Sequence, residues 1–257
     1  MAVLLLAGCG SVQPLSPDAA NPDAGPTPDA WQPSCVVTVP LITTIESDSP
    51  LYSNKCLNGS WRIEVLNGTS VPPAADEPGH AATVRPTGIA LGFNTEDRQS
   101  TFAIHVSGSG QMNSGSTFTY AQLWAPLNNP GTGMVGTVDA SAFTGVQFYA
   151  ILNTAATGAR FRVANLYTDP VGGMCSPDTT IPTSCYDHPG FQLMPSTTWM
   201  RYQVAFKDLT QAGFGNPSPI GDAFPRSAIT AIRWDINIPS TGPTAAWELW
   251  VDDVTFY

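Results

Sequence analysis

Polar and apolar residues alternate in two runs within residues 227–257, and a segment rich in proline and glycine separates the runs. The apolar positions are Ile229, Ile232, Trp234, Ile236 and Ile238 in the first run and Trp247, Leu249 and Val251 in the second. The positions between them hold Arg233, Asp235 and Asn237, and then Glu248, Trp250 and Asp252. A period of two predicts half-buried strands, and the Pro-Ser-Thr-Gly-Pro turn predicts that the two strands are antiparallel neighbours.

Similar strand patterns recur upstream, and the Asn67-Gly68 pair predicts a hairpin turn. The predicted strands lie within residues 36–45, 61–66, 101–107, 117–126, 146–152, 160–168 and 199–209. Glycine and proline are abundant (23 and 24 residues), whereas charged residues make up only 12% of the chain. This balance favours short strands joined by turns. We therefore predict an all-β protein of eight to eleven strands, folded as a single jelly-roll-like β-sandwich.

Three aromatic-rich segments are WELWVDDVTF at the end of the chain, WMRYQVAFKDL at residues 199–209 and AFTGVQFYA at residues 142–150. These segments resemble parts of carbohydrate-binding module family 11, within the galactose-binding-like β-sandwiches. Ile45-Glu46 also stands where the family carries an aromatic-Glu pair, with Ile in the aromatic place. The resemblance extends from about residue 40 to the end of the chain. It implies a galactose-binding-like sandwich that binds carbohydrate.

The first ten residues form a short apolar run that ends in Leu-Ala-Gly-Cys-Gly. This run resembles a bacterial lipobox, in which Cys9 would be lipidated. The charged segment expected before such a run is missing, and the first basic residue is Lys55, so we expect the true start to lie further upstream. The run is too short to span a bilayer, and a chance apolar N-terminus is the alternative.

Residues 10–33 are dominated by proline, aspartate and alanine, and Pro-Asp-Ala recurs at Pro17, Pro22 and Pro28. Such a segment lacks the apolar side chains that would offset its ordering entropy. We therefore predict a lipoprotein signal remnant at residues 1–9, a disordered tether at residues 10–33 and a folded domain at residues 34–257. The expected location is the bacterial cell envelope, with a lipid anchor in the outer membrane or at the cell surface.

Four further cysteines follow Cys9, and none of them stands in a zinc-binding spacing. An even number of cysteines in an exported chain indicates disulfide bonds. We predict the pairs Cys35–Cys56 and Cys175–Cys185, each worth about 3 kcal/mol in the chain-entropy model. Free thiols are the alternative.

The formal net charge is −10, and only ten residues are lysine or arginine. This charge argues against nucleic acid, anionic membrane surfaces and acidic polysaccharides as partners. Contact with a membrane is therefore expected only through the lipid anchor. Neutral polysaccharides or oligosaccharides remain suitable ligands, and we expect a monomer.

Catalytic motifs are scarce in this sequence. The three histidines stand in no His-Glu-x-x-His spacing, and neither a Gly-x-Ser-x-Gly motif nor a phosphate-binding glycine loop occurs. Glycoside hydrolysis needs two acids across a cleft, and Asp235 with Glu248 is the candidate pair if the two C-terminal strands are neighbours. Adjacent Asp252 and Asp253 point to opposite faces of a strand. We expect a protein that is not an enzyme.

The resemblance also implies a structural calcium ion that joins an acid near the first strand to one in the last strand. Glu46 with Asp252 or Asp253 matches these positions, and Asp48 is a possible additional ligand. Oxygen ligands from both ends of the domain suit calcium. The alternative is that these acids cap turns or pair with Arg62 or Arg85.

The predicted ligand surface is a concave sheet face that holds a neutral β-glucan or a similar glycan through aromatic rings and polar groups. Its candidates are the outward-facing or loop residues Tyr149, Arg160, Arg162, Tyr167, Asp187, His188, Arg201, Arg233, Asp235 and Asn237. The alternative for each aromatic ring is the core, and for each arginine a solvated ion pair. A protein-binding or structural lipoprotein that uses the same sandwich is the alternative function.

Overall fold

The computed structural model describes residues 35–38, 41–43, 51–54, 57–66, 85–88, 102–110, 120–129, 136–154, 159–237 and 245–257. All of them belong to the unit Trp31–Tyr257. The predicted signal remnant with Cys9, the tether and the Asn67-Gly68 turn lie outside the described residues. Within these ranges, no helix is long and apolar enough to cross a membrane.

Fifteen strands occur in the described part of the chain. They are β1 Cys35–Val36, β2 Leu41–Thr43, β3 Leu51–Asn54, β4 Leu57–Ser60, β5 Arg62–Leu66, β6 Arg85–Gly88, β7 Phe102–Gly110, β8 Tyr120–Pro126, β9 Val138–Asp139, β10 Gly145–Thr154, β11 Ala159–Asn165, β12 Gly190–Leu193, β13 Ser196–Ala205, β14 Ile229–Asn237 and β15 Ala245–Phe256. The short 3₁₀ turns are Pro170–Gly172, Phe206–Asp208, Gly221–Ala223 and Arg226–Ala228. The count exceeds the expected eight to eleven because it includes strands of two to four residues, too short to show a period of two.

The strands form two main sheets. The larger sheet has the order β12-β11-β14-β8-β5, and β9 and β1 continue it beside the first residue of β14. The smaller sheet has the order β13-β10-β15-β7-β6, and β2 pairs with the end of β15. Strands β3 and β4 pair with each other. Neighbouring strands are antiparallel except for β1 and β9.

Aromatic side chains fill the space between the two sheets. Trp234 and Phe161 of the larger sheet meet Phe148 of the smaller sheet with ring centroids 5.2 Å and 4.9 Å from that of Phe148, and all three residues are fully buried. Ile232 and Ile236 flank Trp234 and are also buried, as the alternating pattern predicts. Such ring pairs add about 0.5–1.5 kcal/mol each beyond the area they bury. The predicted β-sandwich is therefore confirmed.

The predicted C-terminal hairpin is wrong. Strand β14 pairs with β8, β9 and β11 in the larger sheet, whereas β15 pairs with β2, β7 and β10 in the smaller sheet. An alternating pattern shows which face of a strand is apolar, and both strands turn that face toward the shared core. The pattern does not show which sheet a strand joins. Asp235 and Glu248 are consequently not cross-strand neighbours.

Strand β15 contains an irregularity at Asp253. The register passes from Gln147 opposite Thr255 to Tyr149 opposite Asp252, so β15 holds one extra residue there, and Asp253 has a φ of 48°. A bulge of this kind shifts the phase of the alternation. Val251 and Asp252 are consequently both buried, although the sequence pattern places Asp252 on the outward face.

The disulfide predictions have separate outcomes. Cys175 and Cys185 are bonded, with Cα atoms 5.1 Å apart, which confirms this pair. Cys35 is also disulfide-bonded. Because Cys56 lies outside the described residues, its pairing with Cys35 stays a prediction.

Candidate functional site

The outward surface of the larger sheet is polar. Opposite residues form two rows across the sheet: Trp124, Arg233, Arg162 and Gly190, then Gln122, Asp235, Arg160 and Gln192. Since Phe161, Trp234 and Leu123 between these positions point into the core, the members of both rows point away from it. We call the following set the polar face: Gln122, Trp124, Arg160, Arg162, Arg233 and Asp235.

An ion pair lies at the centre of the polar face. The Nε atom of Arg162 is 2.5 Å from Oδ2 of Asp235, and the two side chains are only 12% and 15% exposed. The Nη1 atom of Arg162 donates to the carbonyl of His188 at 3.4 Å and lies 4.0 Å from Oδ1 of Asp187. Charge-assisted contacts of this kind fix the orientation of a side chain. Asp235 and Arg162 are therefore held rigidly on the sheet.

Arg233 has much weaker partners. It is 8% exposed, and its Nη1 donates to Oε1 of Gln122 at 3.3 Å. Its guanidinium carbon lies 5.1 Å from the centre of the Trp124 ring, a cation–π distance. Among the described residues no carboxylate lies within 4.0 Å of this guanidinium, and its buried Nε has no acceptor. Arg233 is thus a buried cation with one hydrogen bond, one aromatic contact and an Nε that has no acceptor among the described residues.

Arg160 ties the sheet to a neighbouring loop. Its Nη2 donates to the carbonyl of Gly190 at 3.2 Å, to Oγ1 of Thr210 at 3.0 Å and to the carbonyl of Thr210. A Cβ atom at Gly190 would lie 2.6 Å from the carbonyl oxygen of Phe161 and 2.7 Å from Nε of Arg160, so only glycine fits here. Burial, followed by the charge of Arg162, lowers the pKa of Arg160.

Asp187 organises the loop beside the polar face. Its side chain is fully buried, and its carboxylate accepts the backbone N–H groups of Ala212 at 3.0 Å, Gly213 at 2.7 Å and Phe214 at 3.1 Å. Most of the acceptor capacity of this carboxylate is therefore used within the protein. Asp187 fixes the loop rather than offering oxygens to a ligand.

His188 lies beside the polar face, where its carbonyl accepts Nη1 of Arg162, and the residue is 1% exposed. Its Nδ1 is 2.9 Å from Oγ1 of Thr168, and its buried Nε2 has no hydrogen-bond partner among the described residues. Burial, followed by the charges of Arg233 and Arg162, holds the pKa of His188 well below 6.5. The imidazole is therefore neutral at pH 7.

The charges of this region do not cancel. Burial raises the pKa of Asp235, and the nearby Arg162, Arg233 and Arg160 oppose that rise. With His188 neutral, the guanidinium groups of Arg160, Arg162 and Arg233 face two carboxylates, those of Asp187 and Asp235, which leaves a surplus of +1. A surplus cation on a buried face is unusual in a chain of net charge −10.

The structure divides the predicted ligand-binding residues into groups. Arg160, Arg162, Arg233 and Asp235 come together on the polar face, with Asp187 and His188 beside them. Asn237 is the last residue of β14, two positions after Asp235. Tyr167 is half-buried in the bordering loop, where its carbonyl accepts the side chain of Asn216 at 2.8 Å.

Tyr149 and Arg201 lie elsewhere, so their assignment to the same surface is corrected. They are opposite each other on β10 and β13 of the smaller sheet. Alternation identified them correctly as outward residues, but outward positions of two stacked sheets face opposite sides of the sandwich. They are therefore not part of the polar face.

Sequence reasoning missed Gln122 and Trp124. Both alternate with buried Leu123 on β8, so the signal for outward positions is present in the sequence. Their relevance follows only from the pairing of β8 with β14, which places them opposite Asp235 and Arg233. Strand order is a long-range property that the local pattern does not encode.

The predicted calcium ligands are only partly described. Glu46 and Asp48 lie outside the described residues, and Asp252 is buried with its Oδ1 accepting the N–H of Asp253 at 2.7 Å. Thr43 at the end of β2 is opposite Val254, the residue that follows Asp253. Groups of three or more metal-binding side chains do not occur within the part of the chain that the structure describes. The calcium site stays a prediction.

The chain is structurally similar to carbohydrate-binding modules. A family 11 module of a cellulosomal cellulase of Clostridium thermocellum shares 13% identity at a TM-score of 0.43, over 86% of this chain and 94% of that one. A family 11 module from Clostridium thermocellum in complex with a β-1,3-1,4-mixed-linked tetrasaccharide shares 12% identity at 0.41, over 84% and 94%. A family 30 module of another cellulosomal cellulase of that organism shares 11% identity at 0.37, over 81% and 96%. At these identities the similarity concerns the fold.

Neither a protein-family model nor a curated protein matches the chain.

Proposed function

We propose that this protein binds carbohydrate on its polar face without catalysing a reaction. The observation that carries the proposal is a set of buried polar atoms that lack partners among the described residues: Oδ1 of Asp235 and Nε of Arg160 and Arg233. Buried polar groups in folded proteins are almost always paired, so such a cluster indicates a ligand that supplies the missing partners.

The chemistry of this set suits sugar hydroxyl groups. A hydroxyl both donates and accepts, so neighbouring hydroxyls of one sugar ring match a carboxylate oxygen and a guanidinium N–H at the same time. Asp235 and Arg233 stand two positions apart on one face of β14, and the half-buried ring of Trp124 lies beside Arg233. Because the net charge of −10 disfavours acidic polysaccharides, a neutral β-glucan or a similar neutral polysaccharide is the ligand class that we propose.

We also propose the context predicted from the sequence. The sandwich would act as a monomer at the bacterial cell envelope, held by a lipid on Cys9 through the tether of residues 10–33. A structural calcium ion would bind Glu46, Asp48 and Asp252 or Asp253. The lipobox-like run, the composition of the tether and the resemblance to family 11 support these parts of the proposal.

Protein binding is the second candidate function. Met194 and Met200 are 66% and 39% exposed, and the hydroxyl of Tyr202 donates to the carbonyl of Met194 at 2.7 Å and to Sδ of Met200 at 3.9 Å. Exposed methionines favour contact with another protein because their side chains adapt to different surfaces. The hydrolase alternative has lost its candidate pair, since Asp235 and Glu248 belong to different sheets.

Affinity electrophoresis of the full, disulfide-intact chain would test the proposal. Native gels would contain a soluble neutral β-glucan, another neutral polysaccharide or an acidic polysaccharide, each with and without EDTA. We expect retardation in the β-glucan gel and none in the acidic gel. Loss of retardation with EDTA would support calcium in the fold or the site. Free migration in every gel would contradict carbohydrate binding and favour a protein partner.

A further inference from the structure

Tyr186 has an unusual backbone conformation for a large side chain. Its φ is 79°, in the left-handed region that glycine or asparagine normally occupies. The residue is also 39% exposed, so burial of its ring does not account for tyrosine at this position. A strained residue persists where the surroundings enforce it, and such residues cluster at ligand-binding positions.

The surroundings of Tyr186 enforce this conformation from both sides. The preceding residue, Cys185, is bonded to Cys175, and the following residue is the buried Asp187. The N–H of Tyr186 donates to the carbonyl of Thr168 at 2.8 Å. The backbone that carries the ring is therefore fixed.

A second exposed aromatic ring lies on the segment that Asp187 holds. Phe214 is 56% exposed, and its N–H donates to Oδ2 of Asp187 at 3.1 Å. Its carbonyl accepts Oγ of Ser184 at 3.4 Å, and the N–H of Asn216 donates to the carbonyl of Ser184 at 2.7 Å. These contacts join the two segments that carry Tyr186 and Phe214.

The Tyr186 ring borders the polar face through His188. The two rings meet edge to face, with centroids 6.4 Å apart and planes at 84°. The carbonyl of His188 accepts Nη1 of Arg162, which belongs to the polar face. An exposed ring on a fixed backbone thus stands next to the proposed hydrogen-bonding surface.

We propose that Tyr186, with Phe214 on the adjoining segment, is a stacking platform for the apolar face of a sugar ring. The hydroxyls of that sugar, or of the next sugar in the chain, reach the polar face. This inference rests on the proposed carbohydrate binding. Continuity with the polar face identifies a glycan as the occupant, because one ligand then meets both an aromatic surface and the buried polar groups. The Cys175–Cys185 bond makes this binding depend on the oxidised state of the loop.

Substitution of Tyr186 separates a binding role from a structural one. Tyr186→Gly and Tyr186→Asn suit the left-handed backbone, so we expect an unchanged or higher Tm. Because both variants lack the ring, their affinity for the glycan that retards the wild type should fall about fivefold to tenfold. Tyr186→Trp keeps an aromatic ring and should retain most of the affinity. Ile220→Ala, at an exposed apolar position elsewhere, is the matched control and should bind like the wild type.

The disulfide supplies a second test. The double variant Cys175→Ser with Cys185→Ser should lose affinity to a similar extent as Tyr186→Gly, because the ring then loses its fixed position. Unchanged affinity in Tyr186→Gly would overturn the inference. A lower Tm in both Tyr186→Gly and Tyr186→Asn would assign the ring a structural role and would also overturn it.

The variant Asp235→Asn shows whether the stacking platform alone is wrong or whether the proposed carbohydrate binding is wrong as well. If the wild type binds a glycan and Asp235→Asn loses binding while Tyr186→Gly retains it, the polar face binds sugar and only the platform is wrong. If the wild type binds no glycan in any gel, both the proposed function and the platform are overturned.

Discussion

Two arginine–glutamine pairs, one on each sheet, differ in what surrounds them. On the smaller sheet Arg201 is exposed and donates to Gln147 at 2.8 Å. On the larger sheet Arg233 and Gln122 are 8% and 7% exposed, and their hydrogen bond is 3.3 Å long. Water solvates the first guanidinium, whereas the second is removed from water and gains one hydrogen bond and one aromatic contact among the described residues.

The comparison indicates that the polar face is not arranged for stability. A solvated face on an antiparallel sheet would carry charges at little cost, as the smaller sheet does. The larger sheet instead buries charged groups with a surplus of one cation and several unused hydrogen-bonding atoms. Arrangements of this kind are expected where a ligand, rather than the fold, determines the residues.

Among the substitutions considered, loss of the Asp235 carboxylate should have the largest effect on the free energy of unfolding. Asp235→Ala leaves Arg162 buried, and among the described residues the nearest remaining carboxylate is that of Asp187, 4.0 Å away. We expect the free energy of unfolding to fall by about 3 kcal/mol. Urea unfolding measures this change. Asp222→Ala, at an exposed acid, is the control and should change the value by less than about 0.5 kcal/mol. Similar values for the two variants would show that Asp235 is not effectively buried.

The neutral state of His188 should appear in the pH dependence of stability. Because its folded-state pKa lies well below 6.5, the unfolded chain binds a proton near pH 6 that the folded protein does not. The free energy of unfolding should therefore fall as the pH decreases from 7.5 to 5.5, by up to about 1.4 kcal/mol from this residue. His188→Gln should remove this part of the fall. An identical pH dependence in wild type and variant would contradict the assignment.

Removal of the surplus cation should increase stability slightly. Arg233→Met leaves Arg160 and Arg162 balanced by Asp187 and Asp235, and it removes a guanidinium that lacks adequate partners. We expect the free energy of unfolding to rise by about 1 kcal/mol. A loss of stability would mean that the contacts of Arg233 with Gln122 and Trp124 outweigh its desolvation.

The same substitution on the smaller sheet should have the smallest effect. Arg201→Met removes an exposed hydrogen bond to Gln147, and we expect the free energy of unfolding to change by less than about 0.5 kcal/mol. A change as large as that of Arg233→Met would show that the two faces are energetically alike.

Local patterns in the sequence predicted the faces of the strands well. The alternation around Trp234 correctly placed Ile232 and Ile236 in the core and Arg233 and Asp235 outside it. Burial of one strand face is a local consequence of the period of two, so the sequence carries this information directly. The short disulfide Cys175–Cys185 was predictable for the same reason, because its partners are close in sequence.

Strand order was not predictable from these patterns. β13, β14 and β15 are consecutive in sequence, but β14 lies in the larger sheet and the other two in the smaller sheet, which separated Arg233 and Asp235 from Arg201 and Glu248. The same long-range pairing brought Gln122 and Trp124 to the polar face. Nothing in the sequence pattern indicated the strained backbone of Tyr186. Its conformation results from the hydrogen bond to Thr168, the disulfide bond of Cys185 to Cys175 and the hydrogen bonds of the buried Asp187, which are long-range contacts.

The glycan affinity of Arg233→Met and Arg201→Met, measured side by side in a native gel that contains the retarding polysaccharide, tests the central claim most directly. The account predicts that Arg233→Met migrates freely although it is folded and at least as stable as the wild type, whereas Arg201→Met is retarded like the wild type. Equal retardation of the two variants, or loss of retardation only in Arg201→Met, would contradict binding at the polar face.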